Sequence, residues 1–402
     1  MTVRRILPAL VLVAVLLAAC SGTAPHPHAT GPTSTTTTPV VPTTTAPGAS
    51  STKPVTPTAG NVVEDLTWIS PTHGWALVDD GPCGQATGNQ VLTTTNGGAA
   101  WTPVGSIAAP SGNCSGAGLV GVSHIRFANN LDGYAFGPQL YVTTDGGVTW
   151  TQENGPYVTT LEPTGANVMR VSFTQTGCPG PCDLTVQLAP AGSSAWQSVT
   201  APFQGDAVQL VRQGSDAYVA VYGNPAGGGD AHTTLMMSQD GGTTWGQRAD
   251  PCDDVGGDEF DTVAINAAPQ SVLVALCRDR LQSQRAYVAV STDSGVVFAG
   301  QSVLSESAFL GSIAATSAST IFVGTAGSPG TGSTQWVLLA STDGGHSWQT
   351  AVSESGQAQP FFPTEPFLGF ENTTVGRWVG DPYHLWETTD GGVHWVKQAI
   401  AT

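Results

Sequence analysis

The sequence predicts an all-β chain, a seven-bladed β-propeller preceded by a disordered Thr/Pro-rich tether, on three observations. An eight-residue phrase of Ser/Thr, any residue, Asp, any, Gly, any, Ser/Thr and Trp recurs at a fixed period. The segments between its copies read as short strands joined by tight turns. The first 60 residues share neither feature.

Ser341–Trp348, STDGGHSW, shows the phrase most fully, and further copies end at Trp101, Trp150, Trp245 and Trp395. A weaker copy ends at Phe298, and Trp196 in GSSAWQSV marks a nearly erased one. Successive anchors lie 49, 46, 49, 53, 50 and 47 residues apart, so seven units fill the chain from about Val62 to Lys397. A repeat near fifty residues built of short strands implies a propeller. In the seventh unit the expected strands are Phe367–Glu371, Val375–Val379, His384–Thr389 and His394–Gln398. The phrase itself reads as turn chemistry: Asp accepts nearby backbone N–H groups, Gly supplies positive φ, and Trp contributes an apolar plate. Copies spaced evenly around a disc do not converge on one substrate, so the phrases are expected to be structural.

TNGGAAW, TDGGVTW, QDGGTTW, TDGGHSW and TDGGVHW resemble the Asp-box, or bacterial neuraminidase, repeat of sialidases, xyloglucan hydrolases, sortilin-type receptors and photosystem II assembly-factor-like propellers. THGWALV, LDGYAFG and VGRWVGD, each shortly before a box, look most like the assembly-factor type. The resemblance covers residues 62–398 and implies fold more strongly than function, because such repeats serve both hydrolases and binding proteins.

At the amino terminus, Arg4 and Arg5 precede an apolar run from Ile6 to Ala19, followed by Cys20. This has the layout of a secretory signal, residues 1–19, too short to span a bilayer. LAAC resembles a bacterial lipobox, which implies lipidation of Cys20 and a membrane-tethered, extracytoplasmic protein; an ordinary cleaved signal is the alternative. Ser21–Gly60 is rich in Thr, Pro and Ala and lacks aromatic residues, so it cannot bury enough surface to fold and reads as a linker over residues 20–60. His26 and His28 in that linker make at most a poor metal site.

The remainder, residues 61–402, holds all 29 carboxylates against Lys397 and eight arginines, a net charge of −20. Such a balance speaks against nucleic acid as a partner. Six cysteines remain besides Cys20, an even number that suggests disulfides in an exported protein. Placed on the blade scheme, Cys83 meets Cys114, Cys252 meets Cys277, and Cys178 and Cys182 close a local bridge, with a CxxxC metal pair as the alternative for the last.

The loops differ between the two faces. First-to-second-strand loops are short, whereas Asp79–Gly88, Gly105–Gly121, Gln152–Ala166, Gly223–His232, Asp250–Asp261 and Thr325–Thr334 on the opposite face are long. Long loops on a rigid scaffold carry binding, which makes that face the expected recognition surface. Asp253, Asp254 and Asp258 form a weak calcium candidate without the spacing of a known calcium loop, and an ion-pair network with Arg278 and Arg280 is the alternative. Arg126, Arg170 and Arg212, read as one on the inner strand of each of blades two to four, are the candidate binding residues for a carboxylate or acidic peptide. The alternative is that each pairs with a nearby carboxylate or carbonyl.

The functional expectation is a lipid-anchored binding or scaffold propeller recognising a protein or glycan of the cell envelope, monomeric and without cofactor. The second reading is a sialidase-like glycoside hydrolase. It departs from the sialidase pattern in having LTWISPTHGW where an Arg-Ile-Pro motif would stand, and no Tyr–Glu pair is assignable. An adhesin or receptor-like surface protein overlaps the first reading.

Overall fold

The computed structural model describes residues 62–79, 89–110, 121–174, 182–200, 203–205, 207–222, 233–253, 260–279, 285–304, 309–327, 333–357, 367–381 and 383–400. Cys20, the signal and the linker lie outside them, as do Cys83, Cys114, Cys178, Asp254, Asp258 and most of the long loops. Among the described residues all regular structure is β, in seven antiparallel sheets that form a seven-bladed β-propeller. Each sheet uses consecutive strands, so no blade borrows a strand from another part of the chain. The inner strands are Val62–Trp68, His124–Phe127, Tyr157–Thr164, Ala207–Gln213, Phe260–Ala268, Phe309–Ala315 and Leu368–Phe370.

Alternation along the strands sends apolar side chains to both faces of each blade, and the blades bury them against one another. Seven apolar clusters result, one at each joint between neighbouring blades. The core is therefore a ring of interfaces between neighbouring blades.

The repeated turns are built as their residue types suggest. In blade two, Thr143 Oγ1 donates to Asp145 Oδ1 at 2.7 Å and accepts from Gly147 N–H at 3.1 Å, while Asp145 Oδ1 accepts from Thr149 N–H at 2.9 Å. Gly146 and Gly147 sit at φ 79° and 96°, which glycine adopts without strain. These bonds hold the exposed carboxyl of Asp145 down at about 2, chiefly through Thr149. Ser238, Ser291, Ser341 and Thr388 open turns with the same pattern.

Most of these turns also receive a side chain of the preceding blade. Trp75 Nε1 donates to Gly146 O at 3.0 Å, and Gly192 N–H donates to Tyr134 Oη at 2.8 Å. Phe322 packs so closely on Gly392 that an added Cβ would lie 2.3 Å from its ring. In blade seven the equivalent residue is Arg377, with Nη2 at 3.4 Å from Gly97 O of blade one.

Blade three departs from the expected scheme. Tyr157–Thr164, expected within a long loop, is its inner strand, and Arg170 lies on the second strand, Asn167–Phe173. Pro163 and the missing turn phrase obscured this; an inner strand is an edge, where a proline costs no ladder bond. The blade's outer edge is broken into Gln197–Ser198 and Phe203–Gly205, both paired with the long third strand Cys182–Pro190. The disulfide Cys252–Cys277 forms as the blade scheme expects, joining the linker before blade five to that blade's second strand. Cys182 is disulfide-bonded too, its partner lying outside the described residues.

Candidate functional site: the central channel

The seven inner strands surround a cavity of about 350 Å³ that residues of every blade line. Inner strands are sheet edges, and their outward N–H groups need acceptors. Side chains of the preceding blade supply them. Asp65 Oδ2 accepts from Ile125 N–H at 3.0 Å, Thr67 Oγ1 from Phe127 N–H at 3.3 Å, Gln209 Oε1 from Ile265 N–H at 2.7 Å, and Asn266 Oδ1 from Ala315 N–H at 3.0 Å. The polar residues on these otherwise apolar strands thus tie blade to blade and line the cavity at once.

Charge is concentrated on blades one to three. Arg126 bridges Asp65, Nη1 to Oδ2 at 2.5 Å, and Glu162, Nε to Oε1 at 2.9 Å. Burial alone would push the Asp65 carboxyl up; Arg126 and a hydrogen bond with His124 outweigh it and hold the group below the usual carboxylate range. Burial likewise opposes the Arg126 charge, but the two carboxylates raise its pKa further above the ordinary guanidinium value. His124 lies 3.5 Å from Asp65 and stacks on Phe136.

The three candidate arginines do not converge. Arg126 and Arg212 line the cavity, whereas Arg170 is buried in the body of blade three. There Nε donates to Gln187 at 2.9 Å, Nη1 to Glu153 at 3.2 Å, and the guanidinium lies 4.0 Å over the Trp196 ring. Burial lowers its pKa to about 10, with Glu153 opposing. Trp196, the residue of the erased turn, is therefore its platform. Arg212 Nη1 donates to Glu162 O at 3.3 Å and Asn167 O at 3.4 Å, and among the described residues its Nε has no hydrogen-bond partner.

Glu371 lines the cavity from blade seven, and its Oε2 lies 2.5 Å from Arg377 Nη1, an ion pair without a directed hydrogen bond. Burial pushes its pKa up to about 7 despite Arg377. Arg377 is fully buried, reaching Glu387 at 2.8 Å and Pro71 O at 2.6 Å and lying 3.5 Å over the Trp68 ring. Asp253 is exposed, and no group of three metal-ligating side chains occurs among the described residues.

Sequence reasoning missed Asp65, Gln209, Asn266, Glu371 and Arg377. A signal existed for the last: in THGWALV, LDGYAFG and VGRWVGD, Trp75, Tyr134 and Arg377 occupy one column. The bracing residues stand out only as polar positions on strands otherwise apolar.

No known protein-family model matches the sequence, and no curated protein matches it. Solved structures do. YCF48 from Cyanidioschyzon merolae is 14% identical, with a TM-score of 0.50 over 82% of this chain and 95% of that one. An ulvan lyase of polysaccharide lyase family PL25, bound to a sulfated uronate–rhamnose oligosaccharide, is 9% identical with a TM-score of 0.55 over 85% and 97%. A prolyl endopeptidase matches at 10% identity and a TM-score of 0.50, over 85% of this chain and 51% of that one. At these identities the likeness establishes the fold: the chain is built as a seven-bladed β-propeller.

Proposed function

We propose that the protein is a binding propeller, lipid-anchored through Cys20 on the extracytoplasmic face of a bacterial membrane, whose channel and adjoining loops take a protein or glycan of the envelope. The Asp-box resemblance and the lipobox-like junction support this reading from the sequence. The observation that carries it is the disposition of charge in the channel. Arg126 is committed to Asp65 and Glu162, Glu371 is committed to Arg377, and Arg170 is packed under Trp196. Among the described residues, Arg126, Arg170 and Arg212 do not converge on one substrate carboxylate, as the sialidase reading requires. Asp65, held in its charged form by Arg126, makes a poor proton donor.

The test is capture of a partner from solubilised envelope by the full chain, with Arg212→Ala beside the wild type. Saturable capture that Arg212→Ala weakens without lowering the melting temperature supports the reading. Turnover of a sialoside or xyloglucan panel, with no partner captured, would replace it by the hydrolase reading. Anchoring is tested separately: the wild type should partition into the detergent phase and Cys20→Ser into the aqueous one.

A further inference from the structure

The joints of the ring are not equivalent. Blades follow one another along the chain, so every joint from one–two to six–seven is crossed by the chain itself, whereas blades seven and one lie at opposite ends of the described residues. The inner strands are also braced differently. Thr67, paired with Trp75, accepts from Phe127 N–H of blade two, and Asp65 accepts from Ile125 N–H. At the corresponding place in blade seven, paired with Arg377, stands Gly369, with Phe367 two residues before it. Neither has a side chain that can accept a hydrogen bond from blade one.

A buried ionic cluster holds this joint instead. Arg377 is wholly buried, with Nη1 2.5 Å from Glu371 Oε2 and Nη2 2.8 Å from Glu387 Oε1, so two carboxylates share one guanidinium. Blade one meets the cluster with the Trp68 ring and the carbonyl oxygens of Pro71 and Gly97. The hydrogen bonding is incomplete. Among the described residues, Trp68 Nε1, Trp101 Nε1, Glu371 Oε2, Arg377 Nε and Nη1, and Gln398 Oε1 are buried there without a partner. A buried polar network that is only partly satisfied is destabilising, and a second charged carboxylate without a second cation makes it more so.

Glu371 and Trp68 belong to this joint and also line the central cavity, so the joint is the channel wall at that point. In the closed joint, burial raises the Glu371 carboxyl from 4.5 to about 7, with Arg377 opposing and Glu387 reinforcing. Opening exposes the group and returns it to its ordinary range. The closed joint thus holds this proton more tightly than the open one, and closure weakens as pH rises through 7.

We propose that the ring opens locally at the joint between blades seven and one, gated by the Glu371 proton, and that this opening is a side entrance to the channel. Local opening of this kind draws on the least stable contacts while the rest of the fold persists. Here the other joints keep their connecting chain.

Thiol labelling of the full chain in detergent tests this. Ala76 and Ala220 are both completely buried, the first in the joint of blades seven and one, the second in that of blades four and five. Ala76→Cys and Ala220→Cys are treated separately with N-ethylmaleimide at pH 6 and pH 8, with the wild type as blank. Each rate is divided by that of the same chain unfolded in urea at the same pH, which removes the thiol's own titration. Ala76→Cys is expected to be labelled faster than Ala220→Cys at both pH values. Its protection should fall about tenfold from pH 6 to pH 8, the change that linkage gives for a carboxyl moved from 4.5 to about 7. Glu371→Gln in the Ala76→Cys chain should abolish that fall. Should Ala76→Cys not fold, Val78→Cys in the same cluster takes its place. Equal protection of the two thiols would mean that both wait for global unfolding and would overturn the proposal. So would protection of the joint thiol that ignores pH, or a pH step that survives Glu371→Gln.

Discussion

The joint between blades one and two and the joint between blades seven and one place different chemistry at the same position. At the first, Trp75 stacks on Phe127 with ring centroids 3.9 Å apart and donates one hydrogen bond to the turn of blade two. At the second, Arg377 fills that position under the turn of blade one, and a buried cation must bring its partners with it: Glu371, Glu387, two carbonyl oxygens and the face of Trp68. An apolar joint needs shape alone, whereas removing one partner of a buried ion pair leaves the other charge uncompensated. Since each blade is a continuous run of chain, the ring is closed by that ionic joint together with the apolar cluster spanning blades one and seven.

The largest expected effect comes from removing the cation. Arg377→Ala leaves Glu371 and Glu387 buried side by side and is expected to cost about 3–5 kcal/mol in urea unfolding. Adding Arg377→Met to Glu371→Gln and Glu387→Gln should recover most of that loss; if it does not, the charges are not what distinguishes the two joints. Trp75→Ala should cost about 3–5 kcal/mol through lost burial and a cavity, with little dependence on pH.

Glu371 gives the ionic joint a pH dependence that the apolar one lacks. Its pKa is raised from 4.5 to about 7 on folding, so the native state holds this proton more tightly than the unfolded chain. Stability from this group is fully present below about pH 4.5 and is lost as pH rises through 7, by up to about 3 kcal/mol. Glu371→Gln should flatten the difference between unfolding at pH 5 and pH 8; an unchanged slope would rule the carboxyl out as its source.

A covalent joint offers a third term of comparison. Replacing Cys252 and Cys277, 25 residues apart, by alanine is expected to cost about 3 kcal/mol, measured against the reduced wild type to separate packing from cross-linking. The smallest effect is set by the turns. Thr143→Val keeps shape but strands the buried Gly147 N–H and should cost about 1–2 kcal/mol. A larger loss would mean that the turn of blade two supports the Trp75 joint more than its own hairpin.

Legibility in the sequence followed the range of the interaction. Blade seven lies within one or two residues of the expected strands because its turn phrase and alternation are local. Blade three was misread where the phrase is eroded and Pro163 interrupts the alternation. Of the site, Arg126 and Arg212 were placed on the channel from strand order alone, but Asp65, the partner of Arg126, is 61 residues away and no local pattern joins them. Arg170 was displaced by one strand, which moved its side chain from the channel to the interior of the blade.

The sequence by itself determined the number of blades, the chemistry of the turns and the Cys252–Cys277 pairing, since period, residue type and strand order suffice for these. Only the tertiary structure decided which polar side chains meet. Arg377 reaches Pro71 across 306 residues, and Gln209 reaches Ile265 across 56. Contacts of that separation depend on ring closure and on the facing of each inner strand, where a shift of one residue turns a channel group into a core group.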